Sequence, residues 1–203
     1  MSRELSLAEI FQLGYYWETK ILLTAVKLDV FSAIGEASRD IGDVAGRLQA
    51  HAPTLSLLLN ALVAMKLLTK EGGSYRNSLT ALKHLVRHSP QYIGHLLLLH
   101  DAEWNNWGKL EETVRTGKRS VDRHVFETDP ELGGNVLAVL NRIGQQSGPD
   151  LARRLKLVGR ERVLDLGGGV GTNAIAFCQV YPDLRATVFD LPATLKLTEK
   201  TVK

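Results

Sequence analysis

Arg162-Val163-Leu164-Asp165-Leu166-Gly167-Gly168-Gly169-Val170-Gly171-Thr172 runs from a short apolar stretch into a cluster of four glycines. Val163, Leu164 and Leu166 predict a buried strand, and Thr172 to Tyr181 a helix with Ala174, Ile175, Phe177 and Cys178 facing inward. Pro182-Asp183 marks a turn, and Arg185 to Asp190 reads as a second strand, giving a parallel β-α-β unit. Glycines at 167, 169 and 171 let the backbone turn sharply and approach a ligand that a Cβ would repel. The helix that follows offers unpaired N–H groups at its start.

Asp190 closes the second strand roughly 20 residues beyond the glycines, where a carboxylate accepts hydrogen bonds from both hydroxyls of a ribose. The ligand class is therefore a nucleoside derivative. A dinucleotide fingerprint would require glycine or alanine at position 172, and the residue there is Thr172. The spacing G-x-G-x-G suits S-adenosylmethionine, whose methionyl part carries no pyrophosphate for a helix N-terminus to hold. Asp165 is a candidate for orienting the turn or, through water, the ligand's ammonium. Cys178 lies on the apolar side of its helix and reads as a packed thiol rather than a nucleophile.

Composition narrows the class further. The chain has 203 residues, of which 44% are hydrophobic and 23% charged, enough to bury a core. A net charge of +3 without a run of either sign is too mild to argue for nucleic acid. A single cysteine excludes an intrachain disulfide and fits a reducing, cytoplasmic setting. No window approaches the roughly 20 apolar residues that span a bilayer. The apolar run Leu96 to Leu99 is bounded by His95 and His100 and reads as a buried helical turn.

Upstream of the glycines the period is helical. Between Leu7 and Phe31 apolar residues recur at helical spacing, interrupted at Gly14 and Asp29, which predicts two helices. The first is rich in aromatics, namely Phe11, Tyr15, Tyr16 and Trp17, which either pack on the rest of the chain or meet a partner helix. Helices are expected over Ile41 to Leu48 and Thr54 to Leu68, with a break at Ala50 to Pro53. A hairpin follows, Leu68-Thr69-Lys70 pairing with Tyr75-Arg76 across Gly72-Gly73. This is the order of a winged helix-turn-helix, a fold that often reads DNA. Its second helix has no Arg and only a terminal Lys66, so an internal or dimer-packing role is expected instead.

A further helical region covers Leu79 to Arg115 and ends on a Gly117 cap, followed by the polar stretch Lys118 to Arg123. His84 and His88 have a metal-like spacing, but no third ligand accompanies them, and no metal site is assigned. A helix starts near Asp129-Pro130-Glu131, and Ser147-Gly148-Pro149-Asp150 is expected to break it before a short basic helix from Leu151 to Leu157.

Val163-Leu164-Asp165-Leu166-Gly167-Gly168-Gly169-Val170-Gly171, then Tyr181-Pro182-Asp183-Leu184, then Val188-Phe189-Asp190-Leu191-Pro192, resemble the small-molecule O-methyltransferases of the caffeate and flavonoid type and their bacterial relatives. Leu28-Asp29-Val30-Phe31, Trp107, Gly117 and Asp129-Pro130-Glu131 occur in that family's order too, so the resemblance covers essentially the whole chain. It implies a mainly α, winged-helix dimerisation domain followed by the start of an α/β Rossmann-like methyltransferase domain. The expected division is a dimerisation domain over 1–100, a helical connector lining the substrate pocket over 101–158, and the first part of the cofactor domain over 159–203. Carried over by position, Gly167 and Gly169 line the cofactor, Asp190 holds the ribose, Leu191 flanks the adenine and Ser147 contacts the methionyl group. The implied partners are a small aromatic substrate and a second copy of the chain, with neither nucleic acid nor membrane. The family's general-base histidine lies well beyond the second strand, and none of the six histidines holds that place, so no catalytic residue is assigned. Two strands where the family has a larger sheet imply that these residues are the N-terminal portion of a longer protein. The competing readings are a non-catalytic dimerisation module and a winged-helix DNA-binding regulator.

Overall fold

The computed structural model describes residues 4–119 and 125–202, so most of the polar stretch Lys118 to Arg123 lies outside the described residues. Contacts divide the chain into two compact units, Met1–Ser120 and Val121–Lys203. The segment 101–158 expected as a connector is therefore shared between the two.

The first unit opens with α1 (Leu7–Leu13), α2 (Tyr16–Lys27) and α3 (Val30–Ile34). The two expected interruptions separate these three helices. Gly14 caps α1, and Asp29, at φ +59°, turns the chain between α2 and α3. A capping box between Ser6 and Glu9 starts α1, yet none of its residues is buried. Phe11, Tyr16 and Trp17 are 61%, 65% and 48% exposed, so packing on the rest of the chain is not what the aromatics do. Tyr15 and Tyr16 instead pack their rings on Trp17.

Next come α4 (Ile41–Leu48), α5 (Ala52–Ala64), β1 (Leu68–Glu71) and β2 (Ser74–Asn77). The strands form an antiparallel hairpin whose turn uses Gly72 and Gly73 at φ +55° and +84°. Arg39 adds a bridge to Tyr75, completing the winged-helix order. Helix α5 begins two residues before its expected start because Pro53 is tolerated in a first turn, and it ends before Lys66, whose φ is +62°. Phe31, Ile34, Leu59, Leu62 and Tyr75 form the core of this unit. Buried Asn77 donates from Nδ2 to the carbonyls of Phe31 and Gly35 at 2.8 Å each, tying the hairpin to α3. Asn60, the one candidate base-reading side chain on α5, accepts from Lys70 Nζ and the Tyr75 hydroxyl.

The unit continues with α6 (Leu79–His84), α7 (Gly94–Ala102), α8 (Trp104–Trp107) and α9 (Leu110–Thr116), the last capped by Gly117 at φ +65° as expected. Leu96 to Leu99 lie in α7 and are half-buried. Asp101 on α7 accepts from Lys20 and Lys27 of α2 at 2.7 Å each, and these bonds hold its carboxyl below the usual carboxylate range.

The second unit contains α10 (Val125–Thr128), α11 (Pro130–Leu155), β3 (Arg162–Leu166), α12 (Thr172–Val180), β4 (Arg185–Phe189) and α13 (Pro192–Thr201). Strands β3 and β4 pair in parallel, with Arg162 opposite Arg185 and Leu166 opposite Phe189. Two expectations are corrected here. The break at Ser147-Gly148-Pro149-Asp150 is absent, and α11 runs unbroken through Pro149. Pro149 cannot donate to the Gln145 carbonyl, but Gly144 and Gly148 bring α11 so close to α12 that a Cβ on either would stand 2.9 Å from Thr172 Cγ2 or 2.7 Å from Ala176 Cβ. This close helix packing offsets the lost hydrogen bond. The second correction concerns β3, because Leu164 and Leu166 are 61% and 74% exposed rather than buried. Alternate residues of a strand face opposite ways, and helix packing covers only the side of Val163 and Asp165. Phe189 of β4 is exposed on the same bare face. Cys178 is packed as expected, its thiol donating to the Leu184 carbonyl at 3.3 Å. No helix among the described residues is long and apolar enough to cross a membrane.

Candidate functional site

The turn between β3 and α12 is built by glycine conformations that other residues rarely adopt. Gly167, Gly169 and Gly171 have φ values of +70°, +57° and +82°. Gly168 is needed for space, since a Cβ there would lie 2.8 Å from Asp165 Cγ and 2.9 Å from Val188 Cγ1. Backbone bonds fix the turn at both ends, with Gly167 N–H donating to Phe189 O at 2.7 Å and Gly171 N–H to Gly168 O at 2.9 Å. Gly171 caps α12 without any side-chain acceptor.

Asp190, immediately after β4, sits against this turn. Its Oδ2 accepts from Gly169 N–H and its Oδ1 from Leu191 N–H, both at 2.7 Å. Those lengths suit charge-assisted bonds, and each carboxylate oxygen keeps a further lone pair for a ligand hydroxyl. Thr198 on α13 braces the turn from the other side, donating to Gly169 O at 2.7 Å.

Above the glycines lies a cavity of about 380 Å³. Gly167, Gly169, Asp190 and Leu191, all named from sequence, line it together with Asp165, Gly168 and Thr172. Ser147 is not among them. It is exposed on α11 with its hydroxyl directed to Ile143 O at 3.4 Å, and the α11 residues that reach the cavity are Leu137, Leu140, Asn141 and Gly144. Sequence reasoning missed these four, as well as Phe126, Asn173 and Thr194. They are spread over α10, α11, α12 and α13 and carry no local motif. Only the spacing of 137, 140, 141 and 144 along one helical face hints at them.

The charge of the lining is one-sided. Two carboxylates, Asp165 and Asp190, border the cavity, and among the described residues no Lys, Arg or His does. Asp165 Oδ2 is buried and has no hydrogen-bond partner. A buried acceptor of this kind fits a donor brought by a ligand. The described residues contain no cluster of His, Cys, Asp and Glu that could hold a metal ion.

Residues 11–87 match the O-methyltransferase dimerisation domain, and residues 107–202 match the O-methyltransferase domain. The chain belongs to the O-methyltransferase family. Among curated relatives, the tetracenomycin polyketide synthesis 8-O-methyl transferase TcmO of Streptomyces glaucescens is 34% identical over 183 residues, covering 87% of this chain and 54% of that protein. The N,N-dimethyltransferase OxyT of Streptomyces rimosus is 30% identical over 197 residues, covering 93% and 57%. A solved O-methyltransferase family protein from Burkholderia thailandensis superposes with a TM-score of 0.79 at 28% identity, covering 98% of this chain and 61% of its own. This O-methyltransferase-family chain thus spans a little over half the length of the curated relatives it matches.

Proposed function

We propose that the cavity over Gly167 to Gly171 binds S-adenosylmethionine and that the protein transfers its methyl group to a hydroxyl of a small, aromatic acceptor. The observation that carries this reading is the lining itself, with two carboxylates, no cation among the described residues, and an unpartnered buried oxygen on Asp165. A pyrophosphate-bearing dinucleotide would meet two negative charges there. A sulfonium and an ammonium would meet complementary ones. The residues present therefore fit the cofactor. Gly167 and Gly169 let the backbone approach it, Asp190 receives the ribose hydroxyls, Leu191 flanks the base, and Asp165 receives the ammonium.

The cofactor supplies a methyl group made electrophilic by its sulfonium. The protein's part is to hold that methyl in line with the acceptor oxygen and to exclude water, so that proximity lowers most of the barrier. As the O–CH3 bond forms, the C–S bond breaks and the hydroxyl proton passes to a base. None of the described histidines lines the cavity, and no catalytic residue is proposed within this chain. The name of OxyT favours a second reading, in which the acceptor atom is nitrogen.

The same proposal gives the first unit a pairing role. Support comes from the dimerisation-domain match, from the exposed aromatics Phe11 on α1 and Tyr16 and Trp17 at the start of α2, and from an apolar groove of about 570 Å³ between α2 and α5. The division into 1–100, 101–158 and 159–203 belongs to the proposal in these terms, as does a cytoplasmic location. Calorimetric titration tests the central part. S-adenosylhomocysteine is expected to bind one site per chain while NAD binds far more weakly. Absence of nucleoside binding, or preference for NAD, overturns the reading.

A further inference from the structure

We infer that Asn141 is the residue that receives the carboxylate of the ligand's amino-acid end, and that Thr172 is the positioning residue that sets its amide. The inference rests on the S-adenosylmethionine reading and assigns the part of the ligand for which the described lining residues offer no cation. An amino-acid tail carries two opposite charges. Asp165, with its unpartnered Oδ2, answers the ammonium. Among the described residues no lining side chain is positively charged, so what this lining offers the carboxylate is neutral donors.

Thr172 supplies the orienting contact. Its Oγ1 donates to Asn141 Oδ1 at 2.6 Å, linking α12 to α11. An asparagine whose oxygen is engaged in this way presents both Nδ2 hydrogens to what lies beside it. Both residues line the 380 Å³ cavity. The geometry is held firmly, because Thr172 Cγ2 also fills the space next to Gly144, where a Cβ would stand at 2.9 Å. Asn173 lines the cavity too, but the Thr172 hydroxyl donates to Asn141 and not to it. The residue that departs from the dinucleotide pattern at position 172 thereby acquires a role. A glycine or alanine could not orient Asn141.

The test compares two probes that share adenosine and the sulfur: S-adenosylhomocysteine, which has the amino-acid end, and 5′-methylthioadenosine, which lacks it. Calorimetry on the 203-residue chain is expected to show tighter binding of the former. Asn141→Ala should weaken S-adenosylhomocysteine roughly tenfold or more, the value of a lost hydrogen bond to a charged group, and leave methylthioadenosine within about twofold. Asn141→Asp, which keeps size and the acceptor for Thr172 but opposes the ligand carboxylate, should lose more. Thr172→Val keeps the contact with Gly144 and should give a smaller loss in the same probe alone. Equal loss of both probes in Asn141→Ala and Asn141→Asp, or unchanged S-adenosylhomocysteine binding, overturns the assignment. If the wild-type chain binds both probes equally, this inference fails and the cofactor reading stands. If it binds neither, both fail.

Discussion

Replacing Asp190 by asparagine separates two roles that one carboxylate performs. Both oxygens accept from backbone N–H groups at 2.7 Å, one from Gly169 within the glycine turn and one from Leu191. An amide keeps a single oxygen, so one of these N–H groups would face an NH2. The loss of one charge-assisted bond, with a donor left facing a donor, costs about 2 kcal/mol. The second unit runs from Val121 to Lys203, and in a unit of that size 1 kcal/mol lowers Tm by roughly 4–8 °C, so a fall of about 10 °C is expected in Asp190→Asn. Ligand binding should fall further than stability, because the turn loses its brace and the ribose loses its acceptor. Thermal unfolding by circular dichroism, paired with S-adenosylhomocysteine titration below the transition, measures both. A variant with wild-type Tm and abolished binding would refute the bracing role. Wild-type binding would refute the ribose role.

Four further outcomes follow from the same geometry. Asp165→Asn should leave Tm unchanged or raised, because it neutralises a buried oxygen without a partner, while weakening ligand binding, so a loss of Tm would count against the reading. Gly148→Ala places a Cβ 2.7 Å from that of Ala176 and should destabilise the second unit by about 1–3 kcal/mol, detectable in chemical denaturation. Phe31→Ala empties a fully buried site in the first unit and should cost about 3–5 kcal/mol there. Because Lys20 and then Lys27 depress the Asp101 pKa, the stability it contributes is complete above the ordinary carboxylate value near 4 and is lost as pH falls toward the lower folded value. Asp101→Asn should flatten that acid dependence of the first unit's unfolding, and an unchanged acid transition would contradict it.

The parts of the fold that were readable from sequence are those decided by local chemistry. Gly72-Gly73 could hardly be anything but a tight turn, and α4 carries its own Asp40 cap and apolar spacing. The glycine turn and Asp190 were readable for the same reason, since their backbone requirements are written in residue type. What could not be read depends on tertiary neighbours. Pro149 looks like a break until Gly144 and Gly148 are seen against Thr172 and Ala176. Leu164 and Leu166 look like core residues until the sheet is seen to lack a cover on one face. The α11 wall of the cavity was invisible because Asn141 meets Thr172 only after the chain has passed through β3 and the turn. Ser147, named by family position, points its hydroxyl along its own helix, one turn away from that wall.

The central claim is that a nucleoside ligand occupies the cavity formed by the glycine turn, α11 and Asp190. Backbone amide NMR during titration with S-adenosylhomocysteine tests it at residue resolution. Saturable shifts concentrated at Gly167 to Thr172 and at Asp190 and Leu191 are the result expected. No shifts, or shifts centred on the α2 and α5 groove instead, would contradict it.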